Sequence, residues 1–343
     1  MAVVSRPRLR NLGSHLTATA ASQPEDLSLS SLVTLRDGVK MPMFGLGTYL
    51  SEMGGECLEA CTAALGMGYV MLDTANMYNN EAEVGASLAG RDRSDVFIVT
   101  KHSGEHGRAS TLAAIDESLN KLGLEYVDLY LIHNPKGGKC LETWQAMLDI
   151  KASGKARAVG VSNFGLKHLK GIKEAGLELP EVNQIELHCW LQQKELTAYC
   201  EHEKITVMGY CPLARTKRFK DSALLSIAEL LGKTEAQIAI RWSIQSGFIT
   251  IPNSSTASRI AQNAGGGICM QPLSALNVLM CVACRCVWLE LGRRSHASYL
   301  SAGGRGFQSV WLCQRPGHPL GGHQVVYGSA SWLTGRRHCY YCF

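Results

Sequence analysis

The sequence predicts a closed α/β barrel of eight parallel strands, and three observations lead there. Short apolar, β-branched runs alternate with stretches of helical spacing through residues 43–263, at intervals suited to consecutive βαβ units. There are eight such runs, the number a (β/α)8 or TIM barrel requires. An open doubly wound sheet would carry a Gly-rich phosphate turn after its first strand; the early candidate here, Gly45-Leu46-Gly47, lacks the third glycine. With 343 residues, 46% of them apolar, the chain can hold one barrel of about 250 residues with extensions.

Taken in order, residues 33–42 read as a short hairpin turning at Asp37-Gly38, a dipeptide suited to the positive φ of a hairpin turn. The first barrel strand, 43–48, precedes a helix over 55–67. The second, Tyr69–Thr74, precedes a helical stretch opened by Asn80 and Glu81, with Val84 and Leu88 at i, i+4. Strands at 96–101, 126–133, 156–162 and 181–187 are each followed by a helix, at 109–123, 141–154, 165–176 and 193–204. The seventh strand, 205–210, leads into helical material from Ser222 to Gly247, and the eighth, 248–254, into an eighth helix that begins at Thr256 and reads as truncated where the composition changes after Asn263.

Composition divides the chain into three parts: an extension over 1–32, a barrel over 33–264 and an atypical tail over 265–343. The tail holds seven Arg and one acid, Glu290, with neither Lys nor Asp, so the body keeps 27 basic and 28 acidic groups out of a total charge of +5. A near-neutral body excludes a nucleic-acid surface. The tail has no helical period and reads as disordered sequence not selected to pack on the barrel. Its apolar part, 268–291, is broken by Gln271, Pro272, Asn277 and Arg285, which argues against a membrane span. Cys281 and Cys284 with His338, Cys339 and Cys342 have ligand-like internal spacing, but the two groups lie too far apart for a zinc ribbon, so no metal is expected. The scattered cysteines of the body fit a reducing compartment, and a cytoplasmic location is expected. The alternative is mitochondrial, because Arg6, Arg8 and Arg10 with several Ser and Thr precede the first acid, Glu25.

The chemistry centres on Gly68–Gly85. Its strand ends in Asp73, and five residues on, in an Asn-rich loop, stands Tyr78. The other strands end in polar residues as well: Lys101, His133, Ser162 with Asn163, Gln184 in the sixth, and Tyr210. Each alone reads as a polar strand cap; together they converge on the C-terminal face of a barrel, where such folds place their sites. A phenol is a poor acid at neutral pH, and an adjacent ammonium stabilises the phenolate. Lys101 is the expected ammonium beside Tyr78, kept charged by Asp73, while a neutral His133 donates to a carbonyl oxygen and orients it. The set suits a carbonyl that takes a hydride on carbon while Tyr78 protonates its oxygen.

Residues 33–263 resemble the aldo-keto reductases. The motif Asp73-Thr74-Ala75, five residues, Glu81, two residues, Val84-Gly85 matches the first family signature; residues 155–164, KARAVGVSNF, match the second; 251–263, IPNSSTASRIAQN, match the third in part. The resemblance implies an NADPH-dependent reductase of small carbonyl compounds, expected to be a monomer with no nucleic-acid or membrane partner. It makes Tyr78 the proton donor, with Asp73, Lys101 and His133. It also implies that NADP stacks its nicotinamide on Tyr210, with Ser162, Asn163 and Gln184 on the carboxamide and Gly47 and Thr48 nearby. Cys211 and Leu213 then follow the pyrophosphate, and Asn253, Ser254, Arg259, Gln262 and Asn263 the adenosine end. Asn253 stands where the family usually has a lysine facing the 2′-phosphate, which makes NAD possible. The short segment 134–142, with Asn134 in place of a common tryptophan, implies a pocket open to varied aldehydes and ketones. The alternative is a catalytically impaired nicotinamide-binding or sensing module, prompted by the tail that replaces the family's usual C-terminal segment.

Overall fold

In the computed structural model, which describes residues 27–103 and 107–267, eight strands pair in parallel in chain order. They are β3 (Leu46–Gly47), β4 (Met71–Asp73), β5 (Phe97–His102), β6 (Val127–Ile132), β7 (Ala156–Ser162), β8 (Val182–Glu186), β9 (Thr206–Tyr210) and β10 (Ile249–Ile251). The two ends of this sheet meet. Phe44 bridges Thr250 and Gly47 bridges Asn253, both in parallel; Gly47 N–H donates to Pro252 O at 3.0 Å and Thr250 N–H to Met43 O at 2.9 Å. The first and last strands are shorter than the runs 43–48 and 248–254 because pairing across this seam thins to isolated bridges. Residues 1–26 and the tail from 268 onward, with its cysteines, lie outside the described residues.

Outside the strands lie α1 (Glu56–Gly66), α2 (Glu81–Ala86), α3 (Arg108–Leu122), α4 (Cys140–Ala152), α5 (Leu166–Glu174), α6 (Lys194–His202), α7 (Ser222–Leu231), α8 (Glu235–Gln245) and α9 (Ala257–Gly267). The stretch 222–247, expected as one helical region, divides. Gly232 takes φ 60°, ending α7, and Thr234 starts α8 by accepting from Gln237 N–H while the Gln237 side chain reaches back to the Thr234 N–H. This reciprocal cap satisfies helix-end donors that the break would otherwise strand. The composition change at residue 264 falls inside α9. Among the described residues no helix is long and apolar enough to cross a membrane.

Strand periodicity positions the site. Residues two apart on a strand share a face, and the barrel lumen is filled by Met71, Phe97, Val99, Leu129, Leu131, Ala158, Val182, Met208, Ile249 and Ile251. Their strand neighbours Leu72, Ile98, Tyr130, Ile132, Val159, Val161 and Ile185 face the helices instead. One further step of two along the lumen rows lands on Asp73, Lys101, His133, Gln184, Tyr210 and Asn253, so the C-terminal mouth is polar because the apolar rows stop there. The other end is closed by the hairpin of β1 (Leu32–Thr34) and β2 (Lys40–Pro42). Its buried Leu35 and Met41 join the lumen cluster, and Gly38 turns it with φ 90°.

Gly85 has a packing reason to be glycine. A Cβ there would lie 2.0 Å from the Leu122 carbonyl oxygen, at the end of α3. Backbone cannot withdraw as a side chain can, so α2 and α3 would have to separate. Gly85→Ala is therefore expected to destabilise the fold by about 1–3 kcal/mol, read as a lowered denaturation midpoint; an unchanged midpoint would show that the two helices do not pack this closely.

Candidate active site

Asp73 and Lys101 meet at the mouth, on adjacent strands whose register pairs Asp73 with Val99. Lys101 is fully buried, and its Nζ donates to Asp73 Oδ1 at 2.6 Å and to the Thr74 carbonyl at 2.8 Å. The same Nζ lies 5.1 Å from the centroid of the Tyr78 ring. An ammonium has three N–H donors, and Asp73 and the Thr74 carbonyl occupy two of them. The second carboxylate oxygen, Asp73 Oδ2, accepts from Gln184 Nε2 at 2.8 Å.

Burial alone would favour a neutral amine at Lys101, but Asp73 and Tyr78 outweigh it and hold the group above the ordinary lysine range. At Tyr78 burial pushes the phenol up, and the Lys101 ammonium pulls it only part of the way back. The ammonium acts in the expected sense, yet the net shift runs upward because the ring is enclosed. The phenol therefore stays protonated at neutral pH, and Lys101 lowers the cost of phenolate chiefly when the proton leaves.

Tyr78 closes a short 3-10 turn, Asn76–Tyr78, held from both sides. Asn80 Nδ2 donates to Thr48 O at 3.0 Å and to Ser51 O at 3.2 Å, and Thr74 Oγ1 donates to Asn80 Oδ1 at 2.7 Å. These bonds tie the Tyr78 turn to the loop after β3. The Tyr78 ring meets that loop at Tyr49, centroids 5.1 Å apart, and meets His133 edge-on at 5.6 Å. His133 is half-buried, and burial, then the Lys101 charge, lower its pKa to about 3.

A second set adjoins the first. Tyr210 donates its hydroxyl to Asn163 Oδ1 at 2.8 Å, and Asn163 Nδ2 donates to the His133 carbonyl at 3.0 Å and to Ser162 Oγ at 3.1 Å. Asn163 reaches them from φ 60°, a left-handed conformation that Asn tolerates better than most residues. Gly47 lies at the seam, and Thr48 bonds the Asp73 carbonyl through Oγ1 at 3.1 Å. Beyond Tyr210 a cavity of about 310 Å³ is lined by Glu186, His188, Trp190, Ala214, Arg215, Lys217 and Arg218. Three cations against one carboxylate suit an anion. Cys211 and Leu213 open the segment 211–221 between β9 and α7, and Cys211, Ala214, Arg215 and Thr216 all have positive φ, a concentration of backbone strain of the kind ligand-gripping loops carry.

The residues after β10 are less convergent. Asn253 turns across the seam, its Nδ2 donating to the Tyr49 carbonyl. Ser254 Oγ accepts from Thr256 N–H at 3.2 Å, ahead of α9. Arg259 and Gln262 are exposed on α9, whereas Asn263 is buried. Sequence reasoning missed Tyr49, the cations of the cavity, Ser103, which bonds His133, and Asn76, which bonds Ser103. Ser103 could have been found by the alternation rule, standing two past Lys101.

The family profile described as the aldo/keto reductase family matches residues 45–275. The glyoxal reductase of Bacillus subtilis is 42% identical over 240 residues, 69% of this chain and 87% of that protein. Among solved structures, an aldo/keto reductase from Brucella melitensis is 39% identical with a TM-score of 0.69, over 73% of this chain and 98% of its own. An aldo-keto reductase of Bombyx mori in complex with NADP is 33% identical with a TM-score of 0.68, over 73% of this chain and 92% of its own.

The depressed pKa of His133 gives a measurable sign. The folded state favours the neutral imidazole, so its contribution to stability is complete above the ordinary value of 6.5 and is lost as pH falls toward 3. In an NMR titration its ring should remain neutral at about pH 5, where an unperturbed histidine is mostly protonated; a His133 titrating near the ordinary value would mean that the ring is wet.

Proposed function

Since the chain belongs to the aldo/keto reductase family, we propose that it reduces small aldehydes and ketones to alcohols with NADPH, Tyr78 being the proton donor. The observation that carries this reading is the buried Asp73–Lys101 pair, whose ammonium lies 5.1 Å from the centroid of the Tyr78 ring. When bound, the reduced nicotinamide supplies a hydride to the carbonyl carbon. As charge builds on the carbonyl oxygen, Tyr78 gives it the hydroxyl proton; an alcohol is a weaker acid than a phenol, so the transfer runs downhill. Lys101 stabilises the phenolate left behind, and Asp73 keeps Lys101 charged. His133, neutral, orients the same oxygen by a hydrogen bond.

The residues present fit such a cofactor. Ser162, Asn163 and Gln184 offer amide and hydroxyl groups for the carboxamide, beside the ring of Tyr210, with Gly47 and Thr48 at the seam. Cys211, Leu213 and the cations of the neighbouring cavity suit the pyrophosphate. Asn253, Ser254, Arg259 and Gln262 would take the adenosine end. NAD, which lacks the 2′-phosphate, remains accessible to a chain that presents a neutral amide at 253.

Two variants test the reading. Tyr78→Phe keeps the ring and removes only the transferable proton, so aldehyde-dependent oxidation of NADPH should fall by at least about a hundredfold while NADPH binding is unchanged. Retention of most of the wild-type turnover would sink the assignment. Asn253→Lys adds a charge-assisted contact and should tighten NADPH about tenfold, leaving NADH nearly unaffected; an equal response of both cofactors would place residue 253 away from the 2′-phosphate.

A further inference from the structure

The imidazole of His133 is held by a residue outside the set Asp73, Tyr78, Lys101 and His133. Ser103 Oγ hydrogen-bonds His133 Nδ1, so the nitrogen on the opposite side of the ring, Nε2, is the one available to a ligand. Ser103 is itself clamped by Asn76 at two points: Ser103 N–H donates to Asn76 Oδ1 at 3.1 Å, and Asn76 Nδ2 donates to Ser103 O at 3.2 Å. Asn76 opens the same 3-10 turn that ends in Tyr78, and Ser103 follows the last residue of β5, which carries Lys101. The His133 backbone is fixed independently, its N–H donating to His102 O at 3.0 Å and its carbonyl accepting from Asn163 Nδ2 at 3.0 Å. Backbone and ring are thus anchored by different partners, and the ring anchor passes through the turn that bears the phenol.

A neutral imidazole carries one proton, and the partner of one nitrogen decides where it sits. A carbonyl oxygen has only lone pairs to offer, so it can be oriented by the Nε2–H form and not by the Nδ1–H form. We propose that Ser103 is a positioning residue for carbonyl reduction: its hydroxyl donates to His133 Nδ1, fixes the proton on Nε2, and so makes His133 a hydrogen-bond donor to the substrate oxygen, with Asn76 holding Ser103 in register with Tyr78. The proposal rests on the reading of the site as a carbonyl reductase. A serine hydroxyl can serve this task because it has an O–H to donate to Nδ1, whereas a backbone carbonyl at the same place, which only accepts, would impose the opposite tautomer.

The test separates tautomer from turnover. In protein labelled with 15N-histidine, two-bond nitrogen–proton spectra distinguish Nε2–H from Nδ1–H, and the His133 signal is identified by its loss in His133→Gln. Wild type is expected in the Nε2–H form. Ser103→Ala should mix the two forms and lower kcat for a simple aldehyde by roughly tenfold to a hundredfold, with NADPH affinity unchanged; Ser103→Thr, which restores a hydroxyl, should recover both. A wild-type His133 protonated on Nδ1 overturns the proposal without any variant having to fold. So does a Ser103→Ala protein whose tautomer and kcat match wild type. Absence of aldehyde-dependent NADPH oxidation in wild type would defeat the reductase reading instead, and the spectra would still decide the tautomer.

Discussion

The site depends on a charge kept where charges are costly. Lys101 is fully buried and Asp73 nearly so, and removing either from water carries a penalty of several kcal/mol that only close pairing and further hydrogen bonds offset. Both conditions hold: Lys101 donates to Asp73 and to the Thr74 carbonyl, and Asp73 accepts from both Lys101 and Gln184. Such a pair is weak evidence for stability in itself. What it supplies is a fixed positive potential at one atom, aimed at the phenol, in surroundings where screening by water is slight. Losing either partner would leave an uncompensated charge inside the barrel, so the pair acts as a unit.

Rigid strands set the charge, and turns set the acid. Asp73 and Lys101 sit on paired backbone, whereas Tyr78 and the loop carrying Tyr49 are connecting segments that would otherwise be the loosest parts of the mouth. Side-chain amides supply the missing rigidity. Asn80 ties the Tyr78 turn to the loop after β3, Asn76 ties it to the end of β5, and Asn253 reaches Tyr49 from β10. The Asn-rich character of the segment after Asp73 follows from this task. An amide donates and accepts at once, so one side chain can bind two stretches of backbone without adding charge near the ion pair.

Most of the fold was legible because its signals are local and periodic. Residues 126–133 and 156–162 announce buried strands by their apolar runs, and the polar residue at each end announces the mouth. Signals that depend on contact across the barrel were not legible. The boundary between α7 and α8 is visible only as Gly232 and a capping Thr234 within an otherwise continuous helical pattern. Nothing near Asn253 reveals that its amide turns toward Tyr49, a partner some two hundred residues away in the chain. The upward shift at Tyr78 escaped for a similar reason: the identity of a neighbouring ammonium can be guessed from strand order, but the depth of burial that opposes it cannot. Ser103 went unnoticed because a lone serine after a strand is ordinarily just a turn residue.

The seam between β3 and β10 has a consequence for how the chain reaches this state. Every other pair of neighbouring strands is joined by a single helical crossover or, at β9–β10, by two helices, so each can form soon after its residues are made. Phe44 and Gly47, by contrast, wait for Thr250 and Asn253. Until those residues emerge from the ribosome, β3 is an open strand edge beside an apolar lumen, the kind of surface that recruits other chains. Closure is a long-range contact of the sort that slows folding, although the entropy of closing so large a loop grows only slowly with its length. The interval between synthesis of the first strand and that of the last is therefore the chain's period of greatest exposure to misassembly, and chaperone dependence should be concentrated there.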